Sequence, residues 1–180
     1  QPITIEVDTI NGLAKISYQN GLFSLPIDNS DEYPQTQEVD ANANTIIISS
    51  NILADNITRS VFATGQEEIR RVMNGIYFDL TPECLSIVAT DGHKLVRNKV
   101  LNITSESPAS FILPKKPATL LKGMLNKDGG DVVIKFDDRN AEISFSDGTM
   151  TCRLIEGRYP NYNSVIPASN PNQLRVDRLA

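Results

Sequence analysis

The chain is poor in the residues that do chemistry. It has two cysteines and one histidine, and no apolar run in its 180 residues approaches the roughly 20 residues that cross a bilayer. No secretory signal opens it. Cys84 and Cys152 lie far apart, without CxxC or Cys/His spacing. That spacing speaks against a metal site or a redox pair and favours two reduced thiols facing a core. There is no nucleophile elbow, no phosphate loop and no carboxylate cluster at metal spacing. The remaining hydrolytic combination sets His93 beside Asp91 with Ser86 or Cys84 as nucleophile, and nothing else supports it. Aromatic residues make up 6% and do not alternate with basic ones, which excludes a stacking platform for single strands. No helix offers Asn, Gln and Arg together to base edges.

What is present is an ordinary globular composition, 40% hydrophobic and 22% charged, enough for one full domain and parts of others. The chain opens inside a strand, Ile3–Val7, and stops within an amphipathic pattern beginning at Leu174. It therefore reads as a piece of a longer protein. The net charge of -5 is unevenly spread: residues 1–57 carry -7, residues 58–127 carry +4 and residues 128–180 carry -2. A local basic face on an acidic body attracts phosphates whatever the total charge.

Residues 1–34 read as a strand meander turning at Asn11-Gly12 and Asn20-Gly21. The acidic stretch Asp28–Glu38 reads as a linker and domain boundary. A strand at Thr45–Ile48 then leads into a helix from about Ser50 to Ala63, capped by Ser49 or Ser50. Ile52, Leu53, Ile57, Val61 and Phe62 form its apolar side, leaving Asn56, Arg59 and Ser60 toward solvent. Gly65 ends it, and the connector Gln66–Arg71 follows. Strands are expected at Gly75–Leu80, Cys84–Thr90 and His93–Leu101. The plan then recurs, with a strand at Ser110–Leu113, a helix at Lys115–Leu125 and strands at Val132–Phe136, Ala141–Ser146 and Thr149–Ile155. Pro117 falls in the second helix's first turn, where a missing N–H costs little. Two βαβββ units in succession are an internal repeat. The opening meander, ending at Tyr33-Pro34, echoes the last strands, which end at Tyr159-Pro160. An α+β domain from about Glu38 to Pro167 follows, two pseudo-symmetric units with two helices packed on antiparallel sheets.

The second helix carries Lys115, Lys116 and Lys122, with Lys127 just beyond it, and its Leu120, Leu121, Met124 and Leu125 can face the sheet. The first helix adds Arg59, and its connector adds Arg70 and Arg71. Side by side, the two helices would present one basic surface suited to sequence-blind, salt-sensitive contact with a duplex backbone.

At Ile87–Val96 two apolar runs flank Asp91-Gly92, the signal of a two-residue type I′ hairpin, and Asp147-Gly148 repeats it. Thr90, His93 and Leu95 beside that bend suggest one wall of a surface pocket.

Asn74-Gly75, the run Val88-Ala89-Thr90-Asp91-Gly92-His93-Lys94-Leu95, and Glu156-Gly157-Arg158-Tyr159-Pro160-Asn161-Tyr162 with Val165-Ile166-Pro167 stand in order and at spacings similar to those of the bacterial sliding clamp, the β subunit of DNA polymerase III. The resemblance covers nearly the whole chain and implies a DNA-clamp fold: residues 1–38 would be the end of a first clamp domain and its linker, 39–167 a complete middle domain, and 168–180 a linker and the start of a third. It implies a DNA replication processivity factor, a homodimeric ring around duplex DNA. Such a ring would be non-catalytic, though counted with the polymerase nucleotidyltransferase complex, and cytoplasmic and nucleoid-associated, with no cofactor, metal or membrane. The polymerase III catalytic subunit, the clamp loader and other clamp-binding-motif proteins would share one peptide cleft. Carried over residue by residue, that cleft takes Met73, Thr90, Gly92, His93, Lys94, Leu95, Pro160, Ser164 and Val165, while Arg70, Arg71, Lys115 and Lys116 lie near DNA. Ser164 stands where the family often has Arg, and Arg71-Val72 where it has aromatic residues. Met73 suits varied apolar partners, with Leu95, Val165 and Pro160 as an apolar floor and His93 and Thr90 as hydrogen-bonding groups for a peptide with Leu or Phe anchors. A peptide-binding adaptor that never meets DNA is the alternative.

Overall fold

The computed structural model describes residues 2–33, 38–125, 129–172 and 174–177. Pro34, Lys127 and the last three residues of the amphipathic pattern beginning at Leu174 lie outside them; its described part, 174–177, forms no helix. The described residues form two compact units that part between Tyr33 and Glu38.

The first unit is an antiparallel meander of β1 (Thr4–Asp8), β2 (Leu13–Tyr18) and β3 (Gly21–Pro26). Its register sets Ile5 opposite Ile16 and Ile16 opposite Phe23, with Val7, Ala14 and Leu25 in the next row. Glu6, Lys15 and Ser24 share the other face. One face is thus apolar by strand alternation, yet Ile5 is 63% and Phe23 56% exposed.

The second unit contains the repeat. Its first copy runs β4 (Asn44–Ser49), α1 (Ser50–Ser60), β5 (Gly75–Leu80), β6 (Leu85–Thr90) and β7 (Leu95–Val100). The second runs β8 (Ala109–Pro114), α2 (Lys115–Met124), β9 (Asp131–Phe136), β10 (Asn140–Phe145) and β11 (Gly148–Arg153). The two copies exchange their first strands. The sheets are ordered β7-β6-β5-β8 and β11-β10-β9-β4, so each takes three strands from one copy and one from the other. The two exchanges share a register: Ile46 lies opposite Ile134, and Phe111 opposite Phe78. In both copies the helix begins at the residue after the exchanged strand.

A single core joins both inner sheet faces to both helices. Ile46, Ile48, Phe78, Ile87, Ile134 and Ile143 meet Leu53, Ile57, Ala118 and Leu121, and Phe111 bridges Phe78 (ring centroids 4.6 Å) and Phe136 (4.4 Å). The helices also pack on one another. Cys84 is buried, and Cys152 is half-buried against the core with its thiol pushed up to about 11 by burial.

The helix faces differ from the sequence expectation. In α1 the inward side is Ser50, Leu53, Asn56, Ile57 and Ser60; Asn56 and Ser60 are buried rather than solvated. Their polar groups are satisfied, since Asn56 Nδ2 donates to the Ile52 carbonyl (2.8 Å) and Ser60 Oγ accepts from Asn98 Nδ2 (3.1 Å). Buried polar groups cost little once paired. Phe62 is 61% exposed. In α2 the buried stripe is Ala118 and Leu121, continued by the cap residue Leu125, while Leu120 and Met124 are about half exposed. Ser49 occupies the α1 N-cap without capping through its side chain.

The turns differ too. Phe145 lies opposite Gly148 and Tyr18 opposite Gly21, so the two-residue loops are Ser146-Asp147 and Gln19-Asn20, and both glycines belong to strands. Type I′ turns need positive φ at both central residues, and no described non-glycine residue adopts it.

Candidate functional site

The Asp91-Gly92 bend is a four-residue loop, because β6 closes on β7 with Thr90 opposite Leu95. Side chains, not a type I′ turn, shape it. Asp91 Oδ1 accepts the backbone N–H groups of His93 and Lys94 (both 3.0 Å), and its other oxygen meets the Lys94 ammonium. The Lys94 ammonium, with those two amides, holds the Asp91 carboxyl well below its usual range. Thr90 Oγ1 accepts from Gly92 N (3.1 Å) and donates to the Lys94 carbonyl (2.7 Å). Thr90 is buried and its hydroxyl's one donor is committed, so it braces the loop rather than offering a donor to a partner. Gly92 is required by its φ of 92°; a Cβ there would also sit 2.7 Å from Arg70 Nη1, the mobile end of a long side chain that can move aside.

The connector behind this loop is folded on itself. Gly65 N donates to Met73 O (2.7 Å), Asn74 Nδ2 to Glu67 O (3.0 Å), and Lys115 N to Asn74 O (3.1 Å). Between connector and loop lies a cavity of about 270 Å³, lined among others by Met73, His93, Lys94, Arg70 and Lys115. It joins three residues expected in the cleft with two expected near DNA, so the two groups share a border.

The other expected cleft residues gather on the outer face of the β7-β6-β5-β8 sheet. The segment after β11 hydrogen-bonds to β8 through Ile155 N and Ile112 O (3.0 Å). It then places Tyr159 flat on Tyr77 (centroids 4.5 Å, planes 4° apart) and ends in a 3-10 turn, Tyr162–Val165. Tyr162 packs edge-on to Tyr77, and its hydroxyl donates to Asp79 Oδ2 (2.7 Å). Val88, Ile112, Tyr159 and Tyr162 form a second small core, against which Leu95, Val72 and Ile166 pack. Leu95 and Pro160 are partly buried and Val165 is 67% exposed. Ser164 Oγ is turned back onto the Asn161 carbonyl (2.7 Å). Burial pushes the Tyr159 hydroxyl up to about 12 and raises Tyr77 and Tyr162 above 10.0.

The basic residues divide. Arg59 pairs with Asp55 (3.5 Å) and Arg70 with Glu67 (2.9 Å), both on the surface, where such pairs add little stability but cancel local charge. Arg71 and Lys116 are exposed, and Lys115 and Lys122 are half-buried. Sequence reading passed over Asp55 and Glu67 as partners, although their i,i+4 and i,i+3 spacings announce them. It also missed Tyr77, Asp79 and Arg97. Their outward places on strands follow from alternation once the buried members are known. Among the described residues, no three His, Cys, Asp or Glu side chains gather as a metal would need, and no helix is long and apolar enough to cross a membrane.

This architecture is that of a DNA clamp domain. Residues 47–161 match the family model described as DNA polymerase III beta subunit, central domain, and the chain belongs to that family. It is 25% identical over 178 residues to the Beta sliding clamp of Synechococcus elongatus, covering 97% of this chain and 47% of that protein. It superposes on the crystal structure of the DNA polymerase III beta subunit from Pseudomonas aeruginosa with a TM-score of 0.85 at 26% identity, covering 93% of this chain and 46% of the other. A Helicobacter pylori beta clamp solved bound to a DNA ligase peptide shares the fold, with a TM-score of 0.81 at 24% identity over 93% of this chain and 46% of that one. The chain spans about half the length of the curated relatives it matches.

Proposed function

We propose that this chain is the central part of a sliding clamp, a processivity factor whose ring encircles duplex DNA and tethers a replicative polymerase through a peptide cleft. Residues 1–38 are the end of a first clamp domain, 39–167 the middle domain and 168–180 the approach to a third. The half-exposed apolar face of β1–β3 supports this division, because the corresponding faces in the second unit are covered by helices. The observation that carries the reading is the strand-exchanged βαβββ pair with its family match over residues 47–161. Its two helices pack side by side, with Arg59, Lys116 and Lys122 along them.

The cleft comprises Met73, Leu95, Pro160 and Val165 as apolar contacts, with Gly92, His93, Lys94 and Ser164 around them and Thr90 bracing the loop. Partners are extended peptides with Leu or Phe anchors, from the polymerase III catalytic subunit, the clamp loader and repair proteins such as the ligase whose peptide the Helicobacter pylori relative holds. The chain is non-catalytic and works within the cytoplasmic, nucleoid-associated replication complex. Processivity then comes from ring closure: DNA contacts need only be weak and salt-sensitive. The homodimeric full-length parent, loaded on nicked circular DNA, is expected to slide off once the circle is linearised; retention on the linear form overturns the reading.

The local pairing of Arg59 and Arg70 with acids favours one rival, an adaptor that uses the cleft without DNA. Lys115→Glu with Lys116→Glu separates the two: the clamp loses loading, whereas the adaptor keeps all its activity.

A further inference from the structure

We propose that Arg97, held in place by Asn163, makes this cleft selective for a peptide carrying an acidic side chain two residues from its apolar anchor. The proposal rests on the cleft reading above. Alternation along β7 puts Leu95, Arg97 and Lys99 on the outer face, opposite Thr90, Val88 and Ser86. Leu95 packs on the tyrosine-bearing outer cluster, so Arg97 stands one side-chain step further along the same face. β7 is an edge strand, and no next strand covers that step.

Cations on edge strands often serve only to block sheet-to-sheet pairing, and a freely moving arginine would fit that role. Arg97 is not freely moving. Its Nη1 donates to Asn163 Oδ1 at 3.2 Å. Asn163 itself sits in the 3-10 turn between Tyr162, anchored on Asp79, and Ser164, turned back on Asn161. The guanidinium is thus tied to the turn that also carries Val165, two residues along the strand from Leu95.

Its charge is also unspent. Among the described residues Arg59, Arg70, Lys94 and Lys135 have carboxylate partners, and Arg97 has none. Asp79, the acid on the same sheet face, is taken by the Tyr162 hydroxyl. A guanidinium has five N–H donors, of which the Asn163 contact uses one. What remains can meet a carboxylate, alone or as a bidentate fork. An extended peptide lying along β7 shows alternate side chains to the sheet at the strand's own repeat. An anchor seated on Leu95 therefore brings the residue two positions away over Arg97.

The test is a titration of the isotope-labelled 180-residue chain with acetyl-Gly-Phe-Leu-Ser-Asp-Gly-amide and its Asn counterpart, followed by the amide resonances of Leu95, Arg97, Ser164 and Val165. The Asp peptide is expected to bind about three- to fivefold more tightly at low salt, the range of an exposed ion pair. That margin shrinks as salt is raised. Arg97→Gln, whose spectrum also reports whether the fold is intact, should bring the two peptides to the same affinity. Equal binding to the unaltered chain overturns the proposal, as does a preference that survives Arg97→Gln. If both peptides bind equally and Leu95→Ala abolishes both, the cleft stands and only the role of Arg97 falls. If neither peptide moves the Leu95 and Val165 resonances, the cleft reading fails and this proposal with it.

Discussion

Tyr162→Phe removes a single oxygen, the one whose hydroxyl hydrogen bonds to Asp79 at 2.7 Å. Hydrogen bonds to charged groups contribute about 1.5–3 kcal/mol, and the partner left behind keeps its desolvation penalty. Asp79 is only half-buried, so water recovers part of that penalty and the cost falls to the bottom of that range or just below it, about 1–2 kcal/mol. The loss falls on the arm, because the ring of Tyr162 still fills its place beside Tyr77 and the main core is untouched. A change of that size raises the undocked population roughly 5- to 30-fold. Hydrogen exchange at the Ser164 amide, which donates to Asn161 O, should quicken by that factor while exchange at Ile87, within β6, stays unchanged. In a double-mutant cycle with Asp79→Ala, the two substitutions should be non-additive by about 1 kcal/mol. Unchanged exchange at Ser164, or strict additivity, refutes the claim that this bond holds the arm.

The same cluster predicts an alkaline weakness. Burial raises Tyr159 to about 12 and lifts Tyr77 and Tyr162 above 10.0. Their contribution is therefore complete below the unfolded value of 10.0 and is lost as pH climbs through the folded values. Urea midpoints should hold up to about pH 10 and fall above it, and a flat profile to pH 12 contradicts the burial of Tyr159. At Gly75 a Cβ would lie 2.5 Å from Leu113 O and 2.7 Å from Ile112 Cγ2. Gly75→Ala must push β8 off β5 and should cost about 1–3 kcal/mol in chemical denaturation; an unshifted midpoint shows that β8 gives way freely.

Element type was legible because periodicity is local. The strand at Gly75–Leu80 and the starts of both helices are where the pattern of apolar residues and Gly/Pro breaks places them. The exchange of β4 and β8 was not, since nothing in a six-residue apolar run names its partner. Helix faces failed at Asn56 and Ser60, where paired polar groups fill inward places, and at Leu120 and Met124, which lie outside the narrow buried stripe of α2. The Asp-Gly signals found both hairpins but not their turns: Asp91 spends its carboxylate on the backbone N–H groups of a four-residue loop, and Gly148 pairs with Phe145 inside β11. At the site, the contiguous strings around Thr90–Leu95 and Tyr159–Val165 were readable as strings. Arg97 and Asn163 were not, because their contact joins a strand edge to an arm 66 positions away.

Because each copy of the repeat lends a strand to the other's sheet, neither half is a folding unit. Pairing Ile46 with Ile134 closes most of the domain into one loop, a slow step whose entropy cost is met only when both sheets are nearly complete. Once closed, neither layer can peel away without tearing an edge from its neighbour. The domain should melt in one concerted step, and a backbone nick between β7 and β8 should leave two interlocked pieces that stay together until both unfold.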